Sequence, residues 1–151
     1  MNTVTNNLWS PCVVGSCPTV ATNILVTLSD GVEVSDNGVG ISQVGIFFHG
    51  SQGLVAGNET FATSVVDGIR VEGDSNRVRD NRVFNGAESG IFISGNDNLV
   101  EHNRITEAAV GVFKEAGSQG NVLRFNQVFD TPIAVQDPAS PSLASAVSPE
   151  R

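Results

Sequence analysis

The sequence predicts an all-β fold, a right-handed parallel β-helix (solenoid) of about five coils. A repeat of 21–23 residues runs through most of the chain. Within each repeat, apolar residues alternate with polar ones over short runs, which is the spacing of strands and not of helices. Asparagines and 16 glycines are spread between these runs, and both residue types accept the backbone of tight turns.

The repeats occupy residues 23–44, 45–67, 68–89, 90–110 and 111–131, and a further strand at 132–136 begins another turn. Each repeat offers three short strands that have no partner within their own coil. We expect them to pair with the equivalent strands of the next coil, so that the sheets are parallel and the inward side chains stack in columns. The predicted inward residues of the third and fourth repeats are Ile69, Val71, Val78 and Val83, then Ile91, Ile93, Val100 and Ile105.

Two columns of asparagine follow from the same alignment. We interpret them as ladders at the turns, because an asparagine amide can bond to the amide one coil above. The alternative is a sugar-binding surface, and the residues Asn58, Glu59 and Thr60 also match a glycosylation motif. The columns are Asn37, Asn58, Asn81, Asn103 and Asn126, and Asn76, Asn98 and Asn121.

The repeat resembles a known family. The pattern G-I-x-V-x-G-x-x-N-x-V-x-x-N-x-V at residues 68–83, found again with conservative changes at 90–105, is similar to the NosD-like right-handed β-helix repeat. That repeat is also described as the carbohydrate-binding and sugar-hydrolase repeat. The resemblance covers roughly residues 23–136 and implies the fold. For function it implies a range, because members include polysaccharide lyases, hydrolases, uronate epimerases, phage adhesins and proteins without an assigned activity.

The two ends differ in composition from the β-helix, which we expect to span residues 23–136. Residues 1–22 hold Trp9, Cys12 and Cys17, and we expect them to cap the first coil, because a bare edge of parallel strands invites aggregation. The two cysteines either close a small loop in an oxidising compartment or stay free thiols. Residues 137–151 are rich in Pro, Ser and Ala, and they are either a disordered tail or a strap over the last coil.

The charge balance excludes several partners. A net charge of −8, with only 8 lysines and arginines, argues against nucleic acid and against docking on an anionic membrane. No apolar segment is long enough to span a membrane, and no signal peptide is visible in residues 1–10. The location is therefore left open, although the family resemblance suggests the cell surface or the extracellular space if a leader has been removed. The His and Cys spacing matches no metal signature, so we expect neither a metal site nor a cofactor.

Two outward columns on the first strand of each repeat carry the candidate site residues. A histidine beside a carboxylate can act as a general acid or base, so His49 and Glu72, which should be neighbours, form the candidate catalytic pair. The alternative is a surface pair that contributes little to stability. The first column is Phe47, Arg70, Phe92, Phe113 and Ala134, and the second is His49, Glu72, Ser94, Glu115 and Gln136.

The aromatic column has two interpretations. Exposed rings on a flat sheet can stack on sugar rings, with Arg70 holding the carboxylate of an acidic sugar. They can also seal a contact between protein molecules, and we expect a homo-oligomer. A third column, Arg79, Glu101 and Arg124, is expected to form a salt-bridged ladder on a solvated face.

A lysine interrupts the inward pattern of the fifth repeat. Lys114 takes the place held by Val71 and Ile93, where an unpaired ammonium would be costly. The distance from Gly111 to Asn121 is ten residues, two more than in the preceding repeats. We therefore predict a bulge or loop at residues 114–118 that turns Lys114 toward solvent or toward Glu115. Lys114 and Glu115 form a second candidate binding spot, and an accommodated insertion is the alternative.

Together these features predict a non-catalytic β-helix module that presents a flat face to another protein, including a second copy, or to a polysaccharide. The alternatives are a carbohydrate-active enzyme, whether lyase, hydrolase or uronate epimerase, and a structural component of a fibre or adhesin.

Overall fold

The computed structural model of the protein describes residues 2–5, 20–63, 66–86 and 88–138. These residues form three sheets in which every pairing is parallel, and they contain no helix. Sheet A consists of β1 (Thr3–Thr5), β3 (Glu33–Ser35), β6 (Leu54–Ala56), β9 (Arg77–Arg79), β12 (Leu99–Glu101) and β15 (Val122–Arg124). Sheet B consists of β4 (Gly38–Gly40), β7 (Glu59–Thr63), β10 (Arg82–Gly86), β13 (Arg104–Thr106) and β16 (Gln127–Phe129). Sheet C consists of β2 (Val20–Thr27), β5 (Ser42–His49), β8 (Asp67–Glu72), β11 (Ser89–Ser94), β14 (Val110–Lys114) and β17 (Ile133–Gln136).

From β3 onward the chain visits the sheets in the order A, B, C, five times in succession. The predicted parallel β-helix of about five coils is thus confirmed. In the described part of the chain, no helix is long and apolar enough to cross a membrane. At the amino-terminal end β1 pairs with β3, and β2 begins at Val20, so strands occur within the segment 1–22. Residues 6–19, with Trp9 and both cysteines, and residues 139–151 lie outside the described part.

The core is a set of stacked aliphatic columns inside the three sheets. All eight inward residues predicted for the third and fourth repeats are buried. Each sheet adds at least one column, such as Val34, Val55, Val78 and Val100 in sheet A and Ile46, Ile69, Ile91 and Val112 in sheet C. Burying each of these side chains stabilises the fold by roughly 1.5–3 kcal/mol, but only because a neighbouring coil covers it.

The glycine of the Gly-Ile pair in strands β8 and β11 is explained by the core of sheet B. A Cβ added to Gly90 would collide with Cγ2 of Ile105, and one added to Gly68 would collide with Cγ1 of Val83. At these corners the sheet B side chain fills the space that a larger residue would need. The Gly-Ile signature of the repeat therefore marks the place where two sheets meet.

The asparagine columns form ladders at the turns, as predicted, and all their members except Asn121 and Asn126 are buried. The Nδ2 atom of Asn81 donates to Oδ1 of Asn103 at 2.9 Å, and the backbone N–H of Asn81 donates to the same oxygen at 3.0 Å. Nδ2 of Asn103 donates in turn to Oδ1 of Asn126 and to the carbonyl of Val78, both at 3.0 Å. Asn58 is fully buried within this ladder, which supports the structural interpretation of its motif.

The left-handed residue of each turn is the one before the asparagine. Asp80 (φ 57°) precedes Asn81, His102 (φ 55°) precedes Asn103, and Phe125 (φ 55°) precedes Asn126. The expectation that asparagine itself would provide the unusual backbone was wrong. Asparagine is needed for its amide, which satisfies backbone groups of the preceding coil and bonds to the asparagine amide of the following one.

Replacing Asn103 by alanine should therefore cost about 3 kcal/mol of unfolding free energy or more, because it removes the oxygen that accepts both the buried backbone N–H and the side-chain amide of Asn81. Gln127→Ala removes an exposed amide from the neighbouring strand and should change stability by less than about 0.5 kcal/mol. Urea unfolding of both variants tests this. Equal losses in the two variants would contradict the ladder's role.

Candidate functional site

The outer face of sheet C brings together the predicted aromatic column. Phe47 pairs with Arg70, Arg70 with Phe92, and Phe92 with Phe113, as expected. The last member is wrong, because Phe113 pairs with Gln136 and not with Ala134. The two extra residues of the fifth repeat lengthen that coil, which shifts the register of the final strand by two. For the same reason Gln136 does not continue the second column.

The side chains of this column stack on one another. The guanidinium carbon of Arg70 lies 3.9 Å from the ring centroid of Phe92 and 5.8 Å from that of Phe47. The rings of Phe92 and Phe113 are stacked, with centroids 5.4 Å apart and planes within 8°. Both faces of the Phe92 ring are therefore covered, one by Arg70 and the other by Phe113. A sugar ring cannot lie flat on Phe92, so the structure removes the main argument for sugar stacking at the centre of this column.

Arg70 is held in place by two carboxylates. Its Nε donates to Oε1 of Glu72 at 2.7 Å, and its Nη1 donates to Oδ2 of Asp67 at 3.1 Å. The hydroxyl of Ser89 donates to the other oxygen of Asp67. Charge-assisted hydrogen bonds of this kind fix the guanidinium in one orientation. Arg70 is thus built into the column rather than left free for an anionic ligand.

Asp67 is a buried carboxylate of the candidate site that the sequence reasoning missed. Its side chain is only 2% exposed, and burial raises its pKa, an effect that the hydrogen bonds from Ser89 and Arg70 offset only in part. Its ion pair with Arg70 places the Asp67 carboxylate on the same outer side as that arginine. The signal was present in the register, because Asp67 and Ser89 interrupt a column that otherwise holds Val44 and Val110.

A groove of about 340 Å³ runs beside these residues. Its walls include Asp67, Arg70, Ser89, Phe92, Phe113 and Gln136. The volume lies within the range of small-molecule sites, and apolar walls with a few convergent polar groups are typical of them. The arrangement can accommodate a small ligand between the phenyl edges and the buried carboxylate.

The predicted catalytic pair is adjacent but not connected. His49 and Glu72 are register partners on neighbouring strands. The carboxylate of Glu72, however, accepts its hydrogen bond from Arg70, and the ring of His49 lies beside Phe47 with centroids 6.3 Å apart. Within the described residues no hydrogen bond joins His49 to Glu72. The geometry does not assemble the general acid–base pair that their spacing predicts.

The prediction that Lys114 turns toward solvent or toward Glu115 was wrong. It stays in the strand as the register partner of Ile93, points inward, and is 9% exposed. Its ammonium pairs with the carboxylate of Asp137 at 2.9 Å, and Asp137 follows the register partner of Phe113, one coil further on. The two extra residues form a turn at 116–117 that leaves Lys114 in place. The carboxylate of Glu115 accepts a hydrogen bond from the hydroxyl of Ser94 and not from Lys114.

The third column differs from its prediction in one partner. Glu101 is 2% exposed, and its carboxylate binds Arg77 and Arg124, whereas Arg79 pairs with Asp80. Hydrogen bonds from Arg77 and then from Arg124 lower the pKa of Glu101 below its usual value. The carboxylate is covered by guanidinium groups, so it is buried by its ion-pair partners rather than solvated.

Metal-ligating side chains do not converge in the part of the chain that the structure describes, where no three of His, Cys, Asp and Glu form a group. His49 belongs to sheet C, while His102 follows a strand of sheet A and stacks on Phe125, with centroids 5.2 Å apart. Cys12 and Cys17 lie outside the described residues.

The family comparison agrees with the fold. Residues 1–140 match the family model described as "Periplasmic copper-binding protein (NosD)", and the chain belongs to this family. No curated protein and no solved structure gives a significant match. The resemblance inferred from the repeat is confirmed, and the family description places its members in the periplasm. The described residues do not gather the donor set that a copper ion would need, so no chemistry is derived through the metal.

Two carboxylates with opposite pKa shifts should give opposite pH dependences of stability. Asp67 has a raised pKa, so its contribution is present below its ordinary value of 3.8 and is lost as the pH rises through the folded-state pKa. Glu101 has a lowered pKa, so its contribution is present above 4.5 and is lost as the pH falls through the folded-state pKa.

Urea unfolding across the acid range tests this, with the wild type compared against Asp67→Asn and Glu101→Gln. The wild type should lose stability relative to Asp67→Asn as the pH rises. It should lose stability relative to Glu101→Gln as the pH falls. Two differences that change in the same direction would contradict the assignment.

Proposed function

We propose that the protein is a non-catalytic β-helix module for protein–protein contact, which self-associates through its C-terminal coil. The observation that carries the proposal is an open core. In the column Ile46, Ile69, Ile91, Val112 and Val135, the first four side chains are fully buried and Val135 is 49% exposed. A residue that is core in every other coil is here left at the surface.

The surrounding surface supports the same conclusion. Five of the eight large apolar side chains that are exposed in the described residues belong to this one coil, with exposures of 44–68%. Apolar patches on a soluble acidic protein are typical of contact sites. The five are Val122, Phe125, Phe129, Ile133 and Val135.

The backbone and the charge of this end also favour a second copy. Strands β15, β16 and β17 each pair on one side only among the described strands, and such edges invite pairing with another chain. The only charged side chains in residues 118–138 are those of Arg124, Asp130 and Asp137. Arg124 and Asp137 are ion-paired with residues of the preceding coil. Two copies of a chain with net charge −8 can therefore meet at this end with little repulsion.

We expect a closed dimer in which the same end of both copies is buried, because a self-complementary apolar patch is typical of two-fold contacts. The family description supports a periplasmic location for this assembly.

A polysaccharide-active enzyme is the second candidate, and the groove beside Asp67 favours it. A buried carboxyl with a raised pKa can act as a general acid. Glu72, the second carboxylate nearby, is bound to the same arginine. If this groove is catalytic, Asp67→Asn should abolish the activity on a polysaccharide panel while Glu115→Gln retains it.

Light scattering on the full chain tests the dimer. The wild type should show twice the chain mass of 15.8 kDa. Val135→Asp should raise the dissociation constant about tenfold or more, because it places a charge in the contact. Val135→Thr, which keeps the shape, guards against loss of folding and should weaken the dimer less.

Two controls locate the contact. Phe84 lies in a middle coil and is as exposed as Val135, so Phe84→Ser should leave the dimer intact. Leu28→Ser alters the opposite end and should also have no effect. A wild type that stays monomeric at high concentration contradicts the proposal. Dimerisation that occurs only after residues 139–151 are removed also contradicts it, since the tail would then cover the C-terminal coil.

A further inference from the structure

Nearly every cation that the structure describes has a close carboxylate partner. Four arginines and the lysine form ion pairs at 3.1 Å or less, namely Arg70, Arg77, Arg79, Arg124 and Lys114. Arg82 reaches only Glu59, at 4.0 Å, and Arg104 has no ion pair with any described residue, its guanidinium carbon lying 5.0 Å from the ring centroid of Phe129. In a chain with twice as many acidic as basic residues, two poorly neutralised arginines stand out from the pattern.

These two arginines lie next to each other. Arg82 and Arg104 are register partners on β10 and β13, so both point outward from sheet B on adjacent strands, about 4.8 Å apart along the solenoid. Like charges in this arrangement repel and destabilise the sheet. The repulsion is relieved when an anion lies between the two guanidinium groups.

A groove of about 270 Å³ adjoins the pair. It is lined by Glu59, Arg82, Val83, Phe84, Arg104 and Thr106. Thr106 is the register partner of Phe84, so a short side chain leaves room beside the ring, and Phe84 is 49% exposed. The site thus joins two cationic groups to an accessible aromatic surface.

We propose that this groove binds an organic carboxylate, with the carboxylate between Arg82 and Arg104 and the rest of the ligand against Phe84. The charges in the groove select a monoanion: two arginines and Glu59 sum to +1, which one carboxylate neutralises and a phosphate dianion would exceed. Phe84 selects for a ligand with a ring or chain attached to the carboxylate. The site lies in the middle coils and is independent of the proposed dimer contact.

The experiment is an NMR titration of the isotope-labelled full chain with benzoate, with benzyl alcohol as the uncharged probe and acetate as the probe without a ring. Benzoate should give saturable shifts at the amides of Val83, Phe84 and Thr106. Acetate should bind more weakly, and benzyl alcohol should not saturate. Glucuronate is the further arm, since the tighter of benzoate and glucuronate identifies an aryl or a sugar as the ligand's ring.

Arg104→Gln and Arg82→Gln should each weaken binding about tenfold or more. Arg79→Gln is the matched control, because it removes the same charge from an arginine paired elsewhere and should leave the affinity unchanged. Arg82 is 67% exposed, so its variant is expected to fold. In the absence of ligand, Arg104→Gln should raise the unfolding temperature by relieving the repulsion.

The proposal is overturned if benzyl alcohol binds as tightly as benzoate, or if neither benzoate nor glucuronate saturates. It is also overturned if Arg79→Gln weakens binding as much as Arg104→Gln, since the effect would then be one of overall charge.

Discussion

A strand in this fold finds its backbone hydrogen-bond partners only in the coil before it and the coil after it. No coil can satisfy its own backbone or bury its own aliphatic side chains, so stability is passed from each coil to the next. The asparagine ladder extends this dependence to the turns, because the amide of Asn103 bonds to backbone groups of the coil before it and to the amide of Asn126 in the coil after it. A stack of this kind is strongest in the middle and incomplete at an uncovered end. Among the described residues, the exposure of Val135 and the one-sided pairing of β15, β16 and β17 follow directly from that constraint.

The same stacking decides what each outward residue can do, because its nearest neighbours stand directly above and below it. Arg70 lies between two phenyl rings and beside two carboxylates, so it is committed to the structure of sheet C. Arg104 has Arg82 as its register partner and no close carboxylate, and its guanidinium carbon lies 5.0 Å from the ring centroid of Phe129. Two identical side chains therefore have different electrostatic surroundings because of the residues one coil away. On the outer faces, a substitution in one coil changes the chemistry of the columns without disturbing the core.

Much of this could be predicted from the sequence, since the period and the two-residue alternation determine the fold, the inward columns and the order Phe47, Arg70, Phe92. What could not be predicted depends on side-chain reach and on the corners. Glu101 pairs with Arg77 rather than Arg79, although Arg79 is its register partner, because long arginine side chains bind diagonally as well as directly. Asp67 departs from the strict alternation of β8, because its carboxylate pairs with Arg70, three residues further along the strand. Lys114 stays inward because Asp137, beyond the last strand, neutralises it, and no local pattern indicates that contact.

Amide hydrogen exchange on the full chain, measured strand by strand at low and high protein concentration, tests the dependence of each coil on its neighbours most directly. The account predicts the slowest exchange in β8 and β11, which have coils on both sides, and the fastest exchange in β15, β16 and β17 at low concentration. Raising the concentration should slow the exchange of β15–β17 selectively as a second copy covers that end. Exchange in β15–β17 that is as slow as in β8 in dilute solution, and unchanged by concentration, would contradict the account.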